Sequence, residues 1–142
     1  MFRKKLTVCF FAIVFFAAGC AGAKVSREDA LMQDKKVVLK NGPISPKKAL
    51  EYMQTAKNLF IIDVAPAAAF ERKHFTGAVN IPVSEMRERY KEIPEGVPVL
   101  LHCRMGKTVP EAYRILKEKR PDIKEINYIS GAPLFDKYNN GN

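Results

Sequence analysis

The chain has 142 residues, of which 47% are hydrophobic and 27% charged, with a formal net charge of +9 and three cysteines. A chain of that length matches one domain of ordinary size and has no room for a second catalytic domain. The basic balance suits anionic small molecules or lipid headgroups, while the lack of a basic run interleaved with aromatics argues against nucleic acid as a partner.

Residues 1–5 are basic and Leu6 to Ala18 form an almost unbroken uncharged apolar run. Such a pattern predicts a secretory signal, too short to span a bilayer comfortably and followed by small residues. Two cleavage sites compete. Ala18-Gly19-Cys20 resembles the bacterial lipobox, with Ala17 where leucine is usual. That reading makes residues 1–19 a lipoprotein signal and Cys20 the lipidated residue, each buried methylene of its acyl chains adding about 0.8 kcal/mol of membrane affinity. Ala21-Gly22-Ala23 fits ordinary cleavage and makes residues 1–23 the signal of a soluble protein. The expected location is the bacterial periplasm, tethered through Cys20 or, in the alternative, free.

Either cleavage removes Cys9, and Cys20 is lipidated or lost, so Cys103 is left as the single free thiol. Intrachain disulfides and C-x-x-C dithiol chemistry are then excluded. Loss of Arg3, Lys4 and Lys5 lowers the net charge from +9 to +6. A lone thiol in an oxidising compartment is either buried and inert or kept for its reactivity.

Residues 24–36 are polar and aperiodic and are expected to be a tether, with one domain over residues 37–142. Val37-Val38-Leu39 predicts a first strand, ended by a turn at Asn41-Gly42-Pro43. Ser45 and Pro46 predict the N-cap and first residue of a helix with Ala49, Leu50 and Met53 on its apolar face. Leu59 to Val64, interrupted only by Asp63, reads as a strand covered on both faces. A short helix over Ala67 to Arg72, a short strand over residues 78–82, and a helix capped by Ser84 and running to Tyr90 follow. Pro94-Glu95-Gly96 breaks the chain before a buried strand over Val97 to His102. The spacing of Thr108-Val109-Pro110-Glu111 predicts a capping box, opening a helix through Lys119 with Val109, Ala112, Tyr113 and Leu116 buried. A last strand spans Glu125 to Ile129, and a terminal helix or turn lies between Ala132 and Tyr138. This alternation predicts an α/β domain with a mainly parallel sheet between helical layers, whose sites gather outside the carboxyl ends of strands.

Cys103 falls at such a strand end, followed by Arg104-Met105-Gly106-Lys107-Thr108 and then a helix start. Backbone N–H groups that the helix cannot use, with the positive end of its dipole, favour thiolate over thiol there and would hold a persulfide anion equally well. Gly106 allows a tight turn. Arg104 offers a bidentate grip on an oxyanion, Lys107 a mobile point charge, and Thr108 a hydroxyl already committed to capping.

Cys103-Arg104-Met105-Gly106-Lys107-Thr108 is similar to the active-site loop of the rhodanese family, in its Cys-Arg-x-Gly-x-Thr form. Ile61-Ile62-Asp63-Val64 resembles the family's aspartate-bearing strand, and residues 74–82, His-Phe-Thr-Gly-Ala-Val-Asn-Ile-Pro, resemble its His-Ile-Pro-Gly-Ala-x-Asn-Ile-Pro segment. Ser130-Gly131 with Phe135 corresponds to a Gly-Gly stretch followed by tryptophan. The resemblance implies a three-layer α/β/α rhodanese-like domain that acts as a thiosulfate sulfurtransferase by a ping-pong mechanism. Cys103 would be the nucleophile, residues 104–108 would bind a small anionic donor such as thiosulfate, or a persulfide, and cyanide or a thiol would be the thiophilic acceptor. It implies no metal or organic cofactor. Ala65 and Ala69 depart from the family's common Arg and Glu, and Lys73, Thr76 and Phe135 from its Gly, Pro and Trp.

His102 adjoins Cys103, but successive strand residues face opposite sides of a sheet, so it is not expected to act as its base. Asp63 and His74 read as structural supports, Asp63 bracing the loop after its strand and His74 bonding a carboxylate such as Asp63. Two histidines and one cysteine lack the spacing of a metal site. Two other functions compete: a sulfur-carrier or protein-binding module without turnover, and a phosphatase or arsenate reductase. The last uses a loop one residue longer ending in Arg, where this chain has Val109.

Overall fold

The computed structural model describes residues 39–141. The expected signal, Cys20, the expected tether and residues 37–38 of the expected first strand lie outside the described residues. Five strands form one parallel sheet in the order β1-β5-β4-β2-β3, comprising β1 (Gly42–Ile44), β2 (Phe60–Asp63), β3 (Val79–Asn80), β4 (Val99–His102) and β5 (Ile126–Ile129). The helices are α1 (Pro46–Thr55), α2 (Ala67–Arg72), α3 (Met86–Arg89), α4 (Val109–Lys119) and α5 (Phe135–Asn139), with a 3₁₀ turn at Tyr90–Glu92 after α3. The expected α/β/α layering around a parallel sheet is observed.

The first strand is displaced from its predicted place. Leu39 lies outside any strand, and Gly42-Pro43-Ile44, whose first two residues were expected in the turn, pairs with Asn127, Tyr128 and Ile129 of β5. A proline is tolerated because β1 is an edge strand, where one side of the backbone has no ladder partner to lose.

The central strands β2 and β4 pair from Phe60–Val99 to Asp63–His102. Both faces of this pair are covered. On one face Ile62, Val64, Leu101 and Cys103 pack with Ala69 of α2, Met86 of α3 and Val109, Ala112, Ile115 and Leu116 of α4. On the other, Ile61 and Leu100 pack with Ala49, Tyr52 and Met53 of α1 and Phe135 of α5. Full burial of each large aliphatic side chain contributes about 1.5–3 kcal/mol, which is why an apolar run beats alternation in these strands.

The helix starts obey different rules. Ser45 caps α1, its hydroxyl accepting from Lys48 N–H at 3.3 Å. Leu50, predicted on the apolar face, is only half-buried, and Tyr52 takes the buried position. Ser84 does not cap α3, whose N-cap is Glu85. In α4, Ile115 is buried where Tyr113 was expected. Arg120, the C-cap of α4, is buried and donates to the carbonyls of Ile93 at 2.6 Å and Tyr90 at 3.3 Å, tying the segment after α3 to the end of α4.

Candidate active site

Strand β4 delivers Cys103 to the carboxyl edge of the sheet, between β2 and β5. The chain leaves β2 toward β3 on one side and leaves β4 toward β5 on the other, so the thiol sits where the winding direction reverses. Cys103 is 5% exposed and belongs to the α4 face of the core.

The following residues wrap around its sulfur. Gly106 has φ +73°, a left-handed value that favours glycine, and its N–H donates to Cys103 Sγ at 3.1 Å. The turn is also packed tightly from outside, since a Cβ on Gly106 would lie 2.5 Å from Gly131 N. Thr108 is the N-cap of α4, but with φ −92° and ψ −13° it is helical rather than extended, and its side chain caps nothing. The predicted capping box is therefore absent: a capping hydroxyl needs the extended backbone that swings it over the N2 and N3 amides. Burial raises the Cys103 pKa, but the polar groups of Thr108, Met105 and Gly106 around the sulfur lower it by more, so the net effect favours thiolate. An anionic sulfur in a ring of fixed donors can attack an electrophilic sulfur and can equally carry an extra sulfur as persulfide.

Arg104, Met105, Lys107 and Thr108 are exposed around this mouth, so one loop brings the five predicted binding positions together with Cys103. Neither Arg104 nor Lys107 has an ion-pair partner among the described residues. The substituted positions Ala65 and Ala69 are 4% and 9% exposed and pack in the same cluster as Cys103. Two methyl groups occupy space where a charged pair would have to be held, and with both charges gone neither is orphaned.

Behind the loop, Asp63 is buried, and its Oδ1 accepts from Ala65 N–H at 2.9 Å. Burial raises its pKa, while the Ala65 bond and the charges of His74 and Arg104 pull it back. His74 does not bond Asp63 as expected. Its Nδ1–H donates to the Phe70 carbonyl at 2.8 Å and its ring stacks on Phe70 at 3.9 Å, because His74 follows α2 and meets a carbonyl of its last turn first. The buried neighbour of Asp63 is His102, Nδ1 to Oδ2 3.8 Å, beyond hydrogen-bond reach. His102 lies on the α1 face, edge-on to Phe75 at 4.8 Å and Phe135 at 5.6 Å, turned away from the Cys103 side of the sheet. Burial pushes its pKa down to about 3.

Asn80 is a support that residue-level reasoning missed. Its Nδ2 donates to the carbonyls of Asp63 and Ala65, both at 2.9 Å, and so fixes the chain leaving β2 beside the Cys103 loop. An asparagine ending a short strand was its only local signal.

Comparison with known proteins agrees with this architecture. The chain is 30% identical over 88 residues to YrkF of Bacillus subtilis, a proposed sulfur carrier protein, covering 62% of this chain and 47% of that one. It is 32% identical over 94 residues to the adenylyltransferase and sulfurtransferase UBA4 of Candida glabrata, covering 59% and 21%. The chain thus spans less than half the length of these curated relatives. A rhodanese-related protein from Thermoplasma volcanium shares the fold, with a TM-score of 0.51 at 18% identity over 63% of this chain and 84% of that chain. The pattern described as the rhodanese-like domain matches residues 45–131, from the cap of α1 to the glycine packed against the loop, and the chain belongs to that family.

Proposed function

We propose that the protein is a sulfurtransferase that moves a sulfane sulfur through a persulfide on Cys103. Family membership and the likeness to YrkF and UBA4 support a role connected with sulfur transfer. The observation that carries the reading further is the sulfur itself: buried, 3.1 Å from the Gly106 N–H and biased toward thiolate by its own loop. In the first half-reaction Cys103 Sγ attacks the outer sulfur of thiosulfate. A new S–S bond forms, the S–S bond of thiosulfate breaks, and sulfite leaves with the electron pair. In the second half-reaction a thiophilic acceptor, cyanide or a thiol, attacks the outer sulfur of the persulfide and the pair returns to Cys103. Arg104 and Lys107 suit the anionic donor, and Asp63 braces the chain leaving β2 through the Ala65 N–H. The N-terminal sequence supports work in the bacterial periplasm, with the chain held on a membrane face through lipidated Cys20, or free after cleavage beyond Ala23.

Incubation with thiosulfate and cyanide is expected to yield thiocyanate, and Cys103→Ser to abolish it. Intact mass showing no sulfur added to Cys103 in folded protein after donor exposure would overturn the proposal. A carrier without turnover is the second reading, favoured by the uncharged, packed Ala65 and Ala69. A carrier takes up one sulfur per chain yet gives only slow thiocyanate release.

A further inference from the structure

Among the described residues Met105 is the one exposed large hydrophobic side chain, at 63%. It stands two positions past Cys103 with exposed Arg104 before it and exposed Lys107 close behind. Its backbone N–H helps stabilise the thiolate, a task that any residue with an N–H performs. Holding the sulfur therefore does not explain a thioether pointing to solvent.

A single exposed methionine is ordinary, and only its surroundings make it informative. Lys73, Arg87, Arg89, Lys119 and Arg120 all have carboxylates within ion-pair distance. Arg104 and Lys107, like most other described Lys and Arg residues, have none; what sets these two apart is their exposed place on either side of Met105 in the Cys103 loop. The mouth above Cys103 is an apolar point flanked by two exposed cations.

A small anion entering the loop gains nothing from an outward thioether. A macromolecular thiol is different, because Cys103 is only 5% exposed and the incoming cysteine must ride on a protruding segment that crosses this rim. We infer that Met105, with Arg104 and Lys107, docks a partner protein whose acceptor cysteine lies on a protruding acidic segment with an apolar residue for Met105. This inference rests on the sulfurtransferase reading and names its acceptor. Methionine suits such a surface, being flexible and polarizable, and the cations select acidic flanks and speed encounter. In the step itself the partner thiolate attacks the outer sulfur of Cys103–S–SH. The new S–S bond forms on the partner, the old one breaks, the electron pair leaves on Cys103 Sγ, and the proton stays with the transferred sulfur.

The test loads the full chain from thiosulfate, reads loading by intact mass, and offers three acceptors: free cysteine, a peptide with cysteine among glutamates and leucine, and that peptide with lysine for glutamate. The acidic peptide is expected to take sulfur about a hundredfold faster than the basic one at low salt, with the gap closing as salt rises. Met105→Gln is expected to lower the ratio of acidic-peptide to free-cysteine rates about tenfold. Equal peptide rates, or a ratio that Met105→Gln leaves unmoved, would overturn the docking inference while sulfur transfer stands. If Cys103 takes up no sulfur, the sulfurtransferase reading fails and the docking inference falls with it.

Discussion

His102 and Cys103 are consecutive residues, 0% and 5% exposed, and both have pKa values below the ordinary ones, yet these shifts mean opposite things. For His102 the lowered value keeps the neutral form, because burial penalises the imidazolium and neither ring nitrogen has a hydrogen-bond partner. For Cys103 burial works against the charged form too, but the loop supplies donors that outweigh it. Desolvation is common to the two positions. What separates them is the sheet: one side chain faces the aromatic layer of Phe75 and Phe135, and the other faces a turn rich in unused N–H groups.

That contrast can be broken by taking the donors from the sulfur. Gly106→Ala combines a disfavoured φ of +73° with a Cβ 2.5 Å from Gly131 N, so the turn must shift. Thiocyanate formation should fall about a hundredfold, as expected of a reacting atom displaced by roughly an ångström. Circular dichroism should show the domain still folded. Thr108→Val removes one donor and keeps the turn. Alkylation of Cys103 by iodoacetamide at neutral pH should slow about thirtyfold, in line with roughly 2 kcal/mol for a hydrogen bond to a charged acceptor. Its pH midpoint should move up. An unchanged midpoint would mean that the backbone alone sets the thiolate.

A pH effect sharpens the other side. His102 is depressed in the fold from 6.5 to about 3, so the unfolded chain binds more protons between those values. Stability from this group is complete above about pH 6.5 and falls with acidification at up to about 1.4 kcal/mol per pH unit. Asp63, raised by its burial, acts in the opposite sense over the acid range, so the wild-type slope is a sum of the two. Urea titrations of wild type and His102→Phe at several pH values isolate the histidine share, which the variant should lack. The alkylation midpoint of Cys103 should stay put in His102→Phe, since the two side chains occupy opposite faces.

Much of this arrangement is legible locally. Ala67–Arg72 and Val109–Lys119 are helices over the spans their sequences predict, and Cys103 leaves a buried strand for a glycine turn and a helix start. Alternation of side-chain direction along β4 already turns His102 away from Cys103. The misreadings share one cause. Gly42-Pro43 looks like a turn until β5 offers its edge, His74 and Asp63 look like partners until Phe70 supplies the nearer acceptor, and Thr108 looks like a cap until its backbone proves helical.

Periodicity, proline and glycine placement, and the order of chemical groups along the chain follow from short-range sterics and from which side chains avoid water. On that basis the sequence alone determined an alternating α/β domain with Cys103 set at a strand end before a glycine turn and a helix start. Only the tertiary structure decided which donors reach the sulfur, that Gly131 closes against Gly106, that Asn80 straps the chain leaving β2, and that Met105 stands clear between unpaired cations. Those facts depend on pairs of residues far apart in sequence, whose meeting is set by sheet register and packing rather than by any local preference.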